Sequence, residues 1–373
     1  MNLRKFLGLG ASACAFLVPV ESKEDHKPLA QIAILLDTSN SMDGLIEQAK
    51  TQLWKIVNQF VVAKKDGQTP EVQVALFEYG NDRLSSGEGF LRMVLPLTTD
   101  LDRVSEELFS LRTLGGSEFC GQVIRAAASG LQWSDSREDL RVMLIAGNEP
   151  FNQGIVDFRA ACVEAAAKGI IVNTIYCGPY EAGLRTSWKE GADLAAGIFL
   201  NIDQDAKSIH IAAPQDQEME RLGVQINITY VPYGSQGRAG LERQIAQDVN
   251  SGNSGPGSLS QRSIWKGSQN YRNVAWDLVD AIRDGHCMLE SLKAVEFPEE
   301  MRGLSMAERK AYLEGKLKER ERIQREILRL GREREKYLAE QLAKLGKLQE
   351  NTLDAIVIKI IREQAIKKGY KFE

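Results

Sequence analysis

Ile32-Ala33-Ile34-Leu35-Leu36-Asp37-Thr38-Ser39-Asn40-Ser41 is an apolar run ending in a carboxylate and two hydroxyls spaced D-x-S-x-S. A short unbroken apolar run of this kind reads as a buried strand. Just beyond it, Leu45, Ile46, Ala49, Leu53 and Ile56 recur at helical spacing, so the motif lies on a strand-to-helix turn. In an open parallel α/β sheet such turns border the binding crevice. Converging hard oxygens suit Mg²⁺, which takes oxygen ligands in near-octahedral geometry and keeps several waters. Read alone, Ser41 or Asp43 would serve equally well as a helix N-cap. The rest of the chain weighs between the two readings.

From Ala30 to about Ile202 strand and helix signals alternate. Strands are expected at 32–36, 72–78, 91–97, 141–145, 170–176 and 198–202. Helices are expected at 45–62, 102–111, 120–131, 155–168 and 188–196. Most of the strands are apolar throughout, as when helices cover both faces of a sheet. The fold class is therefore α/β, a doubly wound and mostly parallel sheet, followed by a C-terminal α-helical extension.

A helical stretch at 214–226 is expected to close this domain, and residues 230–234 read as a turn. Residues 234–300 read as a linker with short helices at 240–249 and 274–283, the latter burying Trp276, Leu278, Val279 and Ile282. The run Ser251-Gly252-Asn253-Ser254-Gly255-Pro256-Gly257-Ser258 has the composition of a flexible loop.

Ser305 and Glu308 form a capping box that opens a third unit, residues 301–373. Its charged run carries Leu313, Leu317, Ile323, Ile327, Leu330, Tyr337, Leu338, Leu342 and Leu345, the pattern of a long amphipathic helix or helical hairpin. Arg320, Gly331 and Arg334 interrupt a strict coiled-coil heptad. The charges read as a solvated face. Leu353, Ile356, Val357, Ile360 and Ile361 form a denser apolar segment, expected to pack within the chain.

The chain has 373 residues and a formal net charge of −4, which argues against nucleic-acid binding by overall attraction. Residues 1–22 have a basic start followed by an apolar stretch from Phe6 to Val20, the pattern of a secretory signal peptide. Ala11-Ser12-Ala13-Cys14 makes a poor lipoprotein box, because apolar residues continue after the cysteine. The expected location is periplasmic or secreted, without a transmembrane span in the mature chain. Cys120, Cys162, Cys177 and Cys287 remain, and an oxidising compartment permits disulfides among them. A Cys120–Cys177 bridge is conceivable, since both lie near the C-terminal side of the strands.

Three further places accompany the D-x-S-x-S turn. Leu114-Gly115-Gly116-Ser117 opens a helix, Val142 through Pro150 reads as a strand ending in Ala146-Gly147-Asn148-Glu149, and Trp188 through Gly197 leads into Ile198-Phe199. In order and spacing, Ala30 to Tyr233 resembles a von Willebrand factor type A domain. The resemblance implies a divalent-cation site completed by an acidic group of a partner. Carried over, Asp37, Ser39 and Ser41 match the metal-binding motif. Ser117 stands where a threonine is common and keeps the hydroxyl. Gly147 stands where an aspartate is common, with Asn148 and Glu149 beside it. One fixed negative charge is missing, so the cation (Mg²⁺, or alternatively Mn²⁺ or Ca²⁺) is expected to be weakly bound or absent. Asn81, Asp82 and Glu118 also fall near the crevice, as do the first amides after Gly116.

Catalysis is not expected. His26, His210 and His286 are the only histidines and lack metal-protease spacing, and neither a G-x-S-x-G turn nor a phosphate loop occurs. Two readings follow. One is an exported binding or adhesion module that recognises an Asp or Glu of a protein partner through its cation. The other is a structural scaffold with a vestigial metal site, self-associating through its C-terminal helices.

Overall fold

The computed structural model describes residues 27–202, 211–255, 257–345 and 353–372; the expected leader lies outside them. In chain order the elements are β1 (Leu29–Asp37), α1 (Asp43–Val57), β2 (Ala63–Lys64), β3 (Glu71–Tyr79), β4 (Leu91–Thr98), α2 (Leu101–Ser110), α3 (Cys120–Gly130), β5 (Leu140–Gly147), α4 (Phe158–Ala167), β6 (Ile171–Cys177), α5 (Tyr180–Arg185), α6 (Trp188–Leu194) and β7 (Phe199–Ile202). There follow α7 (Asp216–Gln225), α8 (Gly237–Asn253), α9 (Ser258–Gly267), α10 (Leu278–Arg283), α11 (Glu299–Arg302), α12 (Met306–Leu345), α13 (Leu353–Lys367) and β8 (Lys371–Phe372).

Six strands form one sheet in the order β4-β3-β1-β5-β6-β7. Only β4 runs antiparallel to its neighbour. Central β1 pairs β3 on one side and β5 on the other, with Ile32 opposite Val74 and Val142. The strand order therefore reverses at β1, which places Asp37 at the topological switch point, where open α/β sheets keep their crevice.

Alternate residues of each strand face opposite ways. Ile32, Leu36, Val74, Leu76, Val142 and Leu144 share one core with α1, α2 and α13. Ala33, Leu35, Phe77, Tyr79, Met143 and Ile145 share the other with α3, α4 and the Trp188 end of α6. On the first face the chain's last helix takes a place against the sheet. Val357, Ile361 and Ala365 are buried there, and Gln364 exchanges two amide hydrogen bonds with Asn173 of β6, at 2.7 and 3.1 Å. The Tyr370 hydroxyl then donates to the Leu29 carbonyl, and β8 pairs with β2. The apolar C-terminal segment thus packs intramolecularly.

The region after β7 holds most of the departures from expectation. Ser251, Gly252 and Asn253 complete α8, and Ser258 opens α9, so the expected flexible loop is reduced to a short connection. α9 reads as polar yet is buried, because its charges are paired. Arg262 donates to Asp248 and Asp102 and to the Gln244 carbonyl. Lys266 donates to Asp248, Asn227 and the Gly223 carbonyl. The 274–283 helix is confined to α10, since Asp277 caps it by accepting the Asp280 amide. The 155–168 helix starts only at Phe158, with Asp157 as cap, leaving Ile155 exposed in a loop.

α12 is one uninterrupted helix, and the residues that spoil its heptad are contact residues. Arg320 is buried, donating to Asp277 and Asp280 at 2.7 and 2.9 Å and to the Thr229 carbonyl, with its guanidinium over the Tyr230 ring. Arg334 pairs with Asp216 at 2.6 Å. The helix is thereby pinned to the preceding region instead of presenting a coiled-coil seam. The four described cysteines are unpaired. Cys120 lies in one core and Cys177 in the other, so the sheet separates the two thiols and the conceivable bridge does not form.

Removing a partner from a buried ion pair leaves the remaining charge without compensation. Arg320→Ala strands Asp277 and Asp280 and is expected to cost about 3–5 kcal/mol, read as a lower midpoint in urea denaturation. A midpoint equal to the parent's would show that Arg320 does not hold α12 in place.

Candidate functional site

Asp37 ends β1 fully buried. One carboxylate oxygen, Oδ1, accepts the Ser39 amide at 2.7 Å, a bond that turns the chain out of the strand. The other, Oδ2, is buried without a hydrogen-bond partner among the described residues. Ser39 is extended, and a single 3₁₀ turn at Asn40–Met42 carries the chain into α1. This brings the Ser39 and Ser41 hydroxyls to 3.2 Å from each other. Asn148 Nδ2 donates to Ser41 Oγ at 2.9 Å from across the crevice, while its own carbonyl oxygen is buried without a donor. The three residues of the motif are therefore gathered in one place.

Ser117 sits half-buried on the loop before α3 and makes no hydrogen bond among the described residues. The acid that approaches Asp37 is Glu118, which is buried beside it. Gly80, at φ +77°, makes this approach feasible: a Cβ there would lie 2.7 Å from both Asp37 Oδ1 and Glu118 Cγ. Glu118 carries no motif spacing of its own, and its only signal in the sequence is its place after Gly116-Ser117. Of the other expected neighbours, Asn81 is a strut that donates to the Thr38 and Arg112 carbonyls. Asp82 and Glu149 are exposed.

Gly147 ends β5 against this same site. A Cβ there would lie 2.6 Å from the Tyr79 hydroxyl and 3.2 Å from Asp37 Oδ2. Tyr79 is buried and donates to the Ala146 carbonyl. A side chain at position 147 is thus excluded by the tyrosine, and the wall that lacks a carboxylate is filled by a phenol.

Burial raises Asp37 to about 6, partly opposed by its hydrogen bonds. Burial, then the hydrogen bond and charge of Asp37, raises Glu118 to about 9. At neutral pH Glu118 therefore carries a proton beside the Asp37 carboxylate. Among the described residues there is no group of three or more histidine, cysteine, aspartate or glutamate side chains able to hold a metal. A cation here would depend on hydroxyl and water oxygens around Asp37. The unpartnered Asp37 Oδ2 and the adjoining hydroxyls fit a hard divalent ion, and the low fixed charge fits a weak one.

Residues 31–187 match the family model of the von Willebrand factor type A domain, and this part of the chain is a domain of that type. Domains of this type are commonly protein-interaction or adhesion modules and are not generally enzymes. Among solved structures the chain is similar to the conserved hypothetical protein BatB from Bacteroides thetaiotaomicron, at 19% identity and a TM-score of 0.36, covering 47% of this chain and 90% of that one. It is similar to the SpRpn10 VWA domain at 16% identity and a TM-score of 0.35, covering 47% and 88%. A third likeness is to the pilus adhesin SpaC from Lactobacillus rhamnosus GG, at 13% identity and a TM-score of 0.35, covering 48% and 28%. No curated protein matches the chain.

The carboxyl pair has a consequence for stability. Glutamate ordinarily titrates at 4.5 and Glu118 near 9, so the folded chain keeps this proton over a pH range in which the unfolded chain has lost it. The stabilisation is complete below the ordinary value and fades as pH rises toward about 9. In chelator-treated protein, Glu118→Gln keeps a donor toward Asp37 and has no proton to lose. Its thermal midpoint is expected to fall less than the parent's between mildly acidic and alkaline pH; parallel declines would remove Glu118 as the titrating group.

Proposed function

We propose that the chain is an exported binding module whose crevice uses a weakly held divalent cation to recognise a carboxylate of a protein partner. The observation that carries this reading is the buried Asp37 Oδ2, left without a partner beside two clustered serine hydroxyls. Asp37, Ser39 and Ser41 would hold Mg²⁺ or Mn²⁺, with Ser117 and Glu118 on the facing loop. When bound, the ion supplies a positive charge with coordination positions open to an Asp or Glu of the partner. Asp37 provides the fixed negative charge. The Ser39 amide fixes one of its oxygens and leaves the other without a partner among the described residues. Gly147 contributes no charge, so the ion's positive charge is less neutralised by the protein and an acidic partner is favoured.

The scaffold reading draws less support. Ile323, Ile327, Leu330, Val357 and Ile361, among the apolar residues that would drive self-association, are buried within the chain. Export rests on the leader pattern. Among the described residues no helix is long and apolar enough to cross a membrane.

Calorimetric titration of Mg²⁺ and Mn²⁺ into chelator-treated protein tests the reading. Saturable millimolar or tighter binding is expected, with loss in Asp37→Ala. Absence of saturation at millimolar cation, or binding unchanged in the mutant, would overturn it.

A further inference from the structure

Arg141 lies near the start of β5, at the end of the sheet opposite the Asp37 crevice. It is only 5% exposed. A guanidinium carries five N–H donors, yet among the described residues this one makes a single hydrogen bond, from Nη1 to the Ser134 carbonyl at 2.6 Å. Among the described residues its Nε is buried without an acceptor, and no ion pair joins Arg141 to a carboxylate. The other buried arginines are served differently. Arg262 reaches two carboxylates and a carbonyl, Arg320 reaches two carboxylates, a hydroxyl and a carbonyl, and Arg334 pairs with Asp216. A buried charged donor left unmet is costly. Arg141 is thus an exception within its own chain.

Arg141 lines a cavity of about 620 Å³. Arg137, Lys168 and Lys368 line it too, against a single lining carboxylate, Asp135. The nearby Asp139 is committed elsewhere, accepting from the Leu29 amide at 3.1 Å and the Ser134 hydroxyl at 2.6 Å. Lys168 donates to the Ala128 carbonyl near the end of α3, and Lys368 to the Arg137 carbonyl. These carbonyls offset part of the positive charge and hold the two ammonium groups at the cavity, without serving Arg141. Burial lowers the pKa of both Arg141 and Lys368, against the attraction of Asp139 and Asp135 on the first and of Glu138 and Asp139 on the second.

We propose that this cavity is an oxyanion-binding site, distinct from the Asp37 crevice, which seats a phosphate or carboxylate group of a small ligand against Arg141 with Arg137, Lys168 and Lys368 around it. A planar guanidinium matches either group through paired N–H donors, and the three further cations favour a multiply charged anion.

The test is the thermal midpoint of the full chain titrated with inorganic phosphate, citrate or chloride at matched ionic strength. A saturable rise with phosphate, citrate or both, and none with chloride, is expected; whichever acts assigns the ligand to the phosphate or the carboxylate class. Lys368→Gln and Arg137→Gln each remove one charged contact at the rim and are expected to weaken the response about tenfold. Asp37→Ala should leave it unchanged, which separates this site from the cation crevice. Arg141→Lys keeps the charge, loses the fork and should also weaken it. A midpoint that follows ionic strength whatever the anion, or a Lys368→Gln, Arg137→Gln double variant that responds like the parent, would overturn the proposal.

Discussion

A parallel sheet that is apolar on both faces must be covered on both, and the rest of this structure depends on how that requirement is met. One face is covered locally, by α3, α4 and α6, each close in sequence to the strands beneath it. The other is not. α1 and α2 cover part of it, and the place against β6 is taken by α13, from the end of the chain. The domain is therefore completed by a segment that follows more than a hundred residues of additional structure, and the intervening helices must bring α13 back to the sheet. The Asn173–Gln364 pair sets its position. Two buried amides satisfy each other only when the helix lies in one register over β6.

That return explains the density of buried charge between β7 and α13. Hydrophobic contact alone is tolerant of sliding, whereas Arg262 between Asp102 and Asp248, or Arg320 between Asp277 and Asp280, admits few placements. Such pairs are weak contributors to net stability, because desolvation offsets their attraction, but unsatisfied alternatives are disfavoured. They join α2 of the α/β domain to α8 and α9, and the 229–280 region to α12. Against these paired charges, two charged residues with an unmet buried atom stand out among the described residues: Asp37, through Oδ2, at one end of the sheet and Arg141, through Nε, at the other. Their opposite signs and opposite ends give the two places different chemistry.

The elements that were legible in the sequence are those whose signal is local. Ile32–Leu36 and the strands paired with it are continuous apolar runs, and α1 and α3 show helical spacing, so sheet and crevice followed directly. α9 was not legible. Ser258-Leu-Ser-Gln-Arg-Ser-Ile-Trp-Lys-Gly looks like solvent-exposed chain, and its burial depends on acids at 102 and 248 that no local pattern connects to it. Arg320 and Arg334 misled in the same way, reading as breaks in a seam when they are the contacts. Within the crevice, Asp37, Ser39 and Ser41 were legible as neighbours because they lie on one turn. Glu118 was only placed nearby, since its approach to Asp37 depends on the positive φ of Gly80, in another loop.

The crevice also shows why one departure from the family pattern is not a simple deletion. Position 147 faces the Tyr79 hydroxyl at a distance that excludes any Cβ. Tyr79 in turn is held by the Ala146 carbonyl, one residue away on the same strand. Glycine and tyrosine thus form a matched pair, and restoring an aspartate at 147 would require the tyrosine to be reduced as well. Meanwhile a second carboxyl, Glu118, enters from the facing loop and keeps a proton. The site has no carboxylate on the wall of Gly147 and a proton-holding one on the other, so its charge varies with pH.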